Sequence, residues 1–217
     1  KYMSNKSKSK TRALKPYFNS FTLVGNNGLA TSPNGMFFTQ DTGNNWFLSS
    51  LTDGYEFFSV AMNDNGVALT ASSSGLWCSR SYGVLWEQIA STTGIGFTLV
   101  AMSGKFGVAA SNSHGLWYLH LNDNDLSIIQ SNVTSGDFVS IAISERQAVA
   151  AGPKGVLYSI NNGATWLNSN LSLSTVAVSI SGNNVVACVS GYGAYDSSNG
   201  GATFNLTNLT NGTVNSV

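Results

Sequence analysis

The chain has 217 residues, of which 42% are hydrophobic and 11% aromatic, so it can fold around a substantial core. Only 9% of the residues are charged and the formal net charge is zero, which argues against a body that binds nucleic acid. No apolar run reaches the ~18 residues of a transmembrane helix, and we expect no signal peptide in the polar first residues. A composition with so little charge is common among β-rich extracellular and particle-surface proteins.

The first residues form a basic segment. Six of the ten basic residues lie in the first 15 positions, whereas the rest of the chain carries four basic and ten acidic residues. Residues 1–16 contain too little apolar surface to fold alone, so we predict a polar basic arm. Its partner would be an acidic protein surface or phosphate groups. The candidate partner-binding residues are Lys6, Lys8, Lys10, Arg12 and Lys15.

Residues 17–217 contain an internal repeat. The periodic glycines, spaced 40, 40, 40 and 38 residues apart, are Gly35, Gly75, Gly115, Gly155 and Gly193. Eleven residues after each glycine comes a large apolar residue: Trp46, Trp86, Leu126, Trp166 and Phe204. A fixed period of this length with an aromatic anchor is typical of repeat architectures.

The second repeat shows the unit most clearly. Its predicted strands are Phe57–Met62, Val67–Ala71, Leu76–Ser79 and Leu85–Ile89, separated by turns rich in Gly, Asn, Asp and Ser. The strands are apolar on both faces, as expected of sheets that are stacked against one another. Four short strands per repeat, repeated radially, predict an all-β fold, a β-propeller of five four-stranded blades.

The period also predicts the blade boundaries. The expected blades are 17–54, 55–94, 95–134, 135–172 and 173–217. Residues 213–217 have the pattern of another first strand. We expect them to close the ring against blade 1, and the alternative is that they begin a sixth blade.

A related eight-residue turn joins the third and fourth strands of four repeats. We call these the box turns: 39–46, 79–86, 159–166 and 197–204. Three of them combine an Asp or Asn acceptor, a central glycine and a final aromatic residue; the turn 79–86 keeps the glycine and the aromatic but is a weaker match, and the third repeat has lost the pattern. The residues predicted to have this structural role are Asp41, Gly43, Trp46, Gly83, Trp86, Asn161, Gly163, Trp166, Asn199, Gly201 and Phe204. The acceptor would bond backbone amides of its own turn, and the aromatic would pack on the neighbouring blade.

The box turns resemble the Asp-box, or bacterial neuraminidase repeat, whose pattern is Ser/Thr-x-Asp-x-Gly-x-Thr-Trp. Through its period the resemblance covers nearly the whole chain, and it implies that the turns are fold elements lying away from any active site. Asp-box propellers include sialidases, other glycoside hydrolases, sorting receptors, lectins and a photosystem assembly factor. The resemblance therefore implies a fold without choosing a function.

The charged residues argue against sialidase chemistry. Related sialidases use three converging arginines, and this chain has only Arg12, Arg80 and Arg146, of which the first lies in the arm. Other glycosidases need two carboxylates ~5–10 Å apart, and most acidic residues here fall in predicted turns. Asp196 differs, because its repeat equivalents are apolar or aromatic, so it is either an edge residue or a site.

Metal and redox sites are not expected. His114 and His120 have no cysteine nearby and the wrong spacing for a metal pair, and the acidic stretch 122–125 lacks the Gly and Glu of an EF-hand. Cys78 and Cys188 are predicted to be buried free thiols. We therefore expect no catalytic residue, no metal site and no cofactor.

Three functions of different class remain. The favoured one is a non-enzymatic structural or interaction module, a rigid subunit of a larger assembly such as a virion or cell-surface particle, docked partly by its basic arm. Its partners would be proteins, with nucleic acid expected only through the arm. The first alternative is a lectin that uses the aromatics Phe37, Trp77, Trp117 and Tyr195, although interblade packing is the simpler expectation for them. The second is a glycoside hydrolase with an unrecognised carboxylate pair.

Overall fold

The chain folds into five small β-sheets. The computed structural model describes residues 17–33, 35–51, 55–122 and 125–210. Within these residues there are twenty strands and one 3-10 turn, Ala90–Thr92. The strands form five antiparallel sheets of four, in which each strand pairs with the next along the chain. This is the five-bladed, all-β propeller arrangement that the 40-residue period predicts.

Each sheet is one blade, and its strands are numbered in chain order. Blade 1 contains β1 (Ser20–Val24), β2 (Asn27–Ser32), β3 (Gly35–Thr39) and β4 (Phe47–Leu48). Blade 2 contains β5 (Phe57–Met62), β6 (Ala68–Ser72), β7 (Gly75–Ser79) and β8 (Glu87–Gln88). Blade 3 contains β9 (Leu99–Ser103), β10 (Phe106–Ser111), β11 (Gly115–Leu121) and β12 (Leu126–Gln130). Blade 4 contains β13 (Ser140–Ser144), β14 (Gln147–Gly152), β15 (Gly155–Ser159) and β16 (Leu167–Asn168). Blade 5 contains β17 (Thr175–Ser181), β18 (Asn184–Val189), β19 (Gly193–Ser197) and β20 (Asn205–Thr210). All five third strands begin at a periodic glycine.

The second strand of each blade is the most buried. Every residue of β6 is buried, and the same holds for five of the six residues in β2, β10 and β14. These strands are rich in Ala, Ser and Thr, whose small side chains let the neighbouring sheets approach from both sides. The stacking of blades therefore follows from the composition of the central strands.

Four hydrophobic clusters hold successive blades together. The first joins Leu29 and Met36 of blade 1 to Phe57 and Trp86 of blade 2. The other three lie between blades 2 and 3, 3 and 4, and 4 and 5. No such cluster joins blade 5 to blade 1 within the residues that the structure describes. The core thus lies between successive blades, and within the described residues the array has two uncovered ends.

Hydrogen bonds between first strands add to this packing. The Ser59 hydroxyl of blade 2 accepts the N–H of Val100 in blade 3 at 3.2 Å. The Ser140 hydroxyl of blade 4 accepts the N–H of Val178 in blade 5 at 3.1 Å. Since first strands have no hydrogen-bonded neighbour on one edge, a serine from the adjacent blade satisfies backbone groups there.

Local details differ from the sequence-based expectations. The hairpin of blade 1 turns at Gly25 and Asn26, with Gly25 at φ +58°, and the second strand of blade 2 runs from Ala68 to Ser72, one residue later than predicted. The fourth strands of blades 1, 2 and 4 contain only two residues, because the box turn occupies the chain just before them. The expectation that residues 213–217 close the ring lies outside the described residues. No helix in the described ranges is long and apolar enough to cross a bilayer.

Candidate functional site

The box turns are held by their own side chains. In blade 4, the Ser159 hydroxyl accepts the N–H of Gly163 at 2.9 Å and donates to the Asn161 side-chain oxygen at 2.9 Å. That oxygen also accepts the N–H of Thr165 at 2.9 Å. Blade 5 repeats these bonds with Ser197 and its partners. The polar residues are therefore used inside the turn and are not free for chemistry.

Asp41 has the same place in the first box turn. Its carboxylate accepts the N–H of Asn45 at 2.8 Å, the Asn45 side-chain amide at 2.6 Å and the Thr39 hydroxyl at 2.8 Å. These bonds favour the ionised form, so they hold the pKa of Asp41 below its usual value, with the Asn45 N–H as the largest cause. Asp41 is thus a turn residue kept as a carboxylate, which is a poor general acid.

The second box turn is also complete, although its sequence is weaker. Ser81 takes the position of the acidic residue, and its hydroxyl accepts the N–H of Leu85 at 2.9 Å. The Ser79 hydroxyl accepts the N–H of Gly83 at 3.0 Å. A hydroxyl is a sufficient acceptor here, which the pattern of acidic and amide residues did not anticipate.

The final aromatic of the box turns in blades 2, 4 and 5 packs against the preceding blade. Trp86 lies in the cluster between blades 1 and 2, Trp166 in that between blades 3 and 4, and Phe204 in that between blades 4 and 5. A polar side chain of the preceding blade also makes hydrogen bonds to the backbone of this aromatic residue. The Asn132 side chain donates to the Trp166 carbonyl at 2.9 Å and accepts its N–H at 2.8 Å.

No blade precedes blade 1 among the described residues, and the equivalent face of its sheet is exposed. Phe21 is 61% exposed, whereas Val60, its equivalent in blade 2, is 5% exposed. Trp46 is 39% exposed, whereas Trp166 is 2% exposed. Leu23 on the same strand is equally uncovered. We call this surface the leading face.

The leading face is an aromatic cluster. The Phe18 ring lies 5.3 Å from Phe21 and 5.7 Å from Phe37 between centroids, and Phe21 meets Trp46 edge-on at 6.3 Å. Contiguous exposed aromatics of this kind are unusual on a soluble monomer and mark interaction surfaces. The sequence pattern shows these residues as ordinary members of the repeat and gives no indication that they are exposed.

Blade 5 has the complementary open surface, which we call the trailing face. Val186 is 41% exposed, whereas Val149, its equivalent in blade 4, has no exposed surface. Asp196, which pairs with Val186 across the sheet, is exposed beside it. Asp196 therefore lies at an edge of the array, which is one of the two interpretations, edge residue or site, given for it in the sequence analysis. The side chain of Asn208 is exposed and makes no hydrogen bond within the described residues.

The candidate lectin aromatics pack mainly between blades. Trp77 contacts the cluster between blades 1 and 2, Trp117 that between blades 2 and 3, and Tyr195 that between blades 4 and 5. All three are half-buried, as interblade packing requires. Phe37 is on the leading face.

Two surface grooves lie away from the end faces. One, of about 420 Å³, lies between blades 2 and 3 and brings together Arg80, Glu87 and Asp125. The other, of about 360 Å³, lies between blades 3 and 4, with Asp137 and Lys154 in its lining. Within the described residues, in these grooves and elsewhere, no group of three or more His, Cys, Asp or Glu side chains is arranged so that it could hold a metal ion.

The remaining singled-out residues have ordinary environments. His120 stacks on Phe106 at 4.7 Å, and His114 is hydrogen-bonded to the Ser113 hydroxyl through Nδ1 at 2.8 Å. Both cysteines are free, Cys188 buried and Cys78 half-buried. Burial raises the pKa of both thiols. The basic arm, with Lys6, Lys8, Lys10, Arg12 and Lys15, lies outside the described residues.

Comparisons with known proteins bear on the fold alone. No protein-family model and no curated protein matches the chain. Among solved structures, YCF48 bound to D1 peptide is 18% identical with a TM-score of 0.61, over 88% of this chain and 67% of that chain. YCF48 from Cyanidioschyzon merolae is 14% identical with a TM-score of 0.54, over 93% and 88%. An ancestral GH74 enzyme is 12% identical with a TM-score of 0.65, over 82% of this chain and 29% of that chain. All are β-propellers, and at these identities the likeness establishes the propeller fold.

Proposed function

We propose that this chain is a protein-interaction module, a rigid β-propeller that binds protein surfaces through its open end faces as part of a larger assembly. The observation that carries the proposal is the exposed aromatic cluster of the leading face. Phe21 and Trp46 are uncovered there, although every equivalent box-turn aromatic is buried. Large aromatic anchors that become desolvated on binding supply most of the energy of protein interfaces.

The rest of the molecule supports a scaffold role. The polar side chains of the box turns make hydrogen bonds within their own turn. This is the structural role expected of the Asp-box class, to which we assign these repeats. A neighbour of the same fold, YCF48, has been solved bound to D1 peptide, which supports a role of this kind for the present chain. The assembly would be a virion or a cell-surface particle, and the basic arm would give a second contact to an acidic surface.

The test is site-specific photo-crosslinking in material from the native source. A photoreactive amino acid at Leu23 lies on the leading face, and the same group at Ile160 is a matched control, equally exposed but on a box turn. We expect protein adducts at position 23 and none at position 160. Absence of protein adducts at position 23 would contradict the proposal, and a positive glycan-array result would then favour the lectin alternative.

A glycoside hydrolase is the second candidate, and one observation favours it. Glu87 and Asp125 line the same groove, next to Arg80, and paired carboxylates are the usual requirement of such enzymes. Hydrolysis of a polysaccharide panel that is abolished by Glu87→Gln would support it. Unchanged polysaccharides after prolonged incubation would remove it.

A further inference from the structure

The two open faces have complementary surfaces, and both belong to one chain. We propose that the trailing face of one copy docks on the leading face of a second copy, head to tail, so that blade 1 of the second copy takes the place of a blade after blade 5. This inference rests on the proposed function, since it names the protein that the leading face binds. The four junctions between successive blades each contain a hydrophobic cluster, and the inference is that blade 5 makes a fifth junction of the same kind.

The first line of evidence is an amide that recurs along the chain. Asn132 holds the backbone of Trp166, and Asn170 holds the backbone of Phe204 by the same two bonds, of 3.1 and 2.7 Å. The next member of the series, 38 residues further on, is Asn208. It lies four residues after Phe204, as Asn170 lies four residues after Trp166. Its side chain has no partner within the described residues.

The second line is the packing partner of the box-turn glycine. A Cβ on Gly163 would lie 2.3 Å from Val108 of the preceding blade, and one on Gly201 would lie 2.9 Å from Val149. A Cβ on Gly43 would meet only its own Trp46. Gly43 therefore lacks, within the described residues, the valine of a neighbouring blade that packs against Gly163 and Gly201.

The matching aliphatic residue is on the other end of the chain. Val186 pairs with β19 at the same register as Val149 pairs with β15, opposite Asp196 and Tyr158 respectively. It is exposed, whereas Val149 is covered by blade 5. A blade bearing Gly43 would cover it.

The third line is a hydroxyl at the end of the first strands. Ser103 accepts the N–H of Glu145 at 3.1 Å, and Ser144 accepts the N–H of Gly182 at 2.9 Å. The equivalent residue of blade 5 is Ser181, which is exposed. Its counterpart would be the N–H of Gly25, the residue after β1.

One junction would therefore satisfy all of these groups together. Asn208 would hold the backbone of Trp46, Val186 would fill the space beside Gly43, and Ser181 would accept from Gly25. The faces at the two ends of one chain share no hydrophobic cluster within the described residues, and a second copy would supply the missing half of each junction. Because the two surfaces differ, the contact is heterologous and continues until a ring closes or a filament forms.

The experiment is sedimentation velocity of the full chain over a wide concentration range. We expect concentration-dependent association. Phe21→Asp on the leading face and Val186→Asp on the trailing face should each give monomers. An equimolar mixture of the two variants should give a dimer, since each retains the face that the other lacks. Ile160→Asp, away from both faces, is the control and should associate like the parent chain.

A milder variant protects the test from misfolding. Asn208→Ala removes only an exposed side chain, so its melting temperature as a monomer should equal that of the parent. Loss of its two backbone hydrogen bonds should weaken association about tenfold or more.

Three results would overturn the inference: a chain that stays monomeric at every concentration, variants that remain monomeric when mixed, or association that Asn208→Ala leaves unchanged. Its failure is distinguishable from failure of the proposed function. A monomeric chain whose position 23 crosslinks to a different protein refutes the head-to-tail contact and keeps the interaction module. A monomeric chain with no protein adduct refutes both.

Discussion

Asn170 holds Phe204 by both of its backbone polar groups, across the boundary between blades 4 and 5. The side-chain amide donates to the Phe204 carbonyl at 3.1 Å, and the side-chain oxygen accepts the Phe204 N–H at 2.7 Å. The aromatic ring is buried against blade 4 at the same place. One asparagine thus fixes the position of the box turn relative to the preceding blade, while the ring supplies the apolar area.

Asn170→Ala is therefore predicted to destabilise the fold. It leaves an N–H and a carbonyl at a partly buried junction without their partners, which costs about 1–3 kcal/mol for each buried group left unsatisfied. Urea unfolding followed by circular dichroism measures the effect. Asn208→Ala is the matched control: it removes the same side chain from the equivalent position, and at concentrations where the chain is monomeric it should change the midpoint by little. Equal losses from the two variants would contradict this account.

The box-turn glycines give a second matched pair. Gly163 and Gly43 have nearly the same φ, +92° and +91°, so alanine is strained equally at both. At Gly163 the new methyl also meets Val108 at 2.3 Å, whereas at Gly43 no described residue of another blade lies within 4 Å.

Gly163→Ala should accordingly be the more destabilising substitution, by about 1–3 kcal/mol, the usual cost of overpacking. Thermal or urea unfolding of the two variants at the same low concentration gives the difference directly. If Gly43→Ala cost as much as Gly163→Ala, backbone strain alone would explain both, and the interblade contact would contribute nothing.

Asp41 predicts a pH dependence of stability. Its pKa is lowered in the folded state by the bonds from Asn45 and Thr39, so the unfolded chain binds the proton more tightly. The stabilisation is fully present above the unfolded value of about 3.8 and is lost as the pH falls through the lower, folded value. Asp41→Asn keeps an acceptor there, as Asn161 and Asn199 do naturally, and it does not titrate.

The variant should consequently lose less stability than the parent on acidification below about pH 4, the normal range of an aspartate. The check is the urea midpoint of both proteins over a series of acidic pH values. Parallel curves for the parent and the variant would show that the turn bonds do not depend on the charge of Asp41.

Much of the fold was predictable, because the repeat places the same physical demand at the same position each time. The glycines that begin the third strands and the aromatics that follow them defined five four-stranded blades. The completeness of the second box turn was less visible, since Ser81 replaces the acid by a different acceptor. The end faces could not be predicted from the repeat. Phe21 and Val60 are equivalent in sequence, but within the described residues a neighbouring blade covers Val60 and none covers Phe21, so one is exposed and the other buried.

Cys78 offers a test of the groove between blades 2 and 3. Burial raises the pKa of its thiol, Arg80 opposes this by stabilising the thiolate, and Glu87 reinforces it. Arg80→Gln should therefore raise the pKa further and slow alkylation at a fixed, mildly alkaline pH, because the thiolate is the reactive form. Glu87→Gln should lower the pKa and speed alkylation.

The rate at Cys78 is measured with iodoacetamide and peptide mass spectrometry, which separates it from the buried Cys188. Arg146→Gln removes an equal charge from blade 4, outside this groove, and is the control expected to leave the rate unchanged. Opposite shifts for the two groove variants would establish that Arg80 and Glu87 both act on the thiol at close range. Shifts in the same direction would mean that the substitutions change access to Cys78, and the electrostatic account would fail.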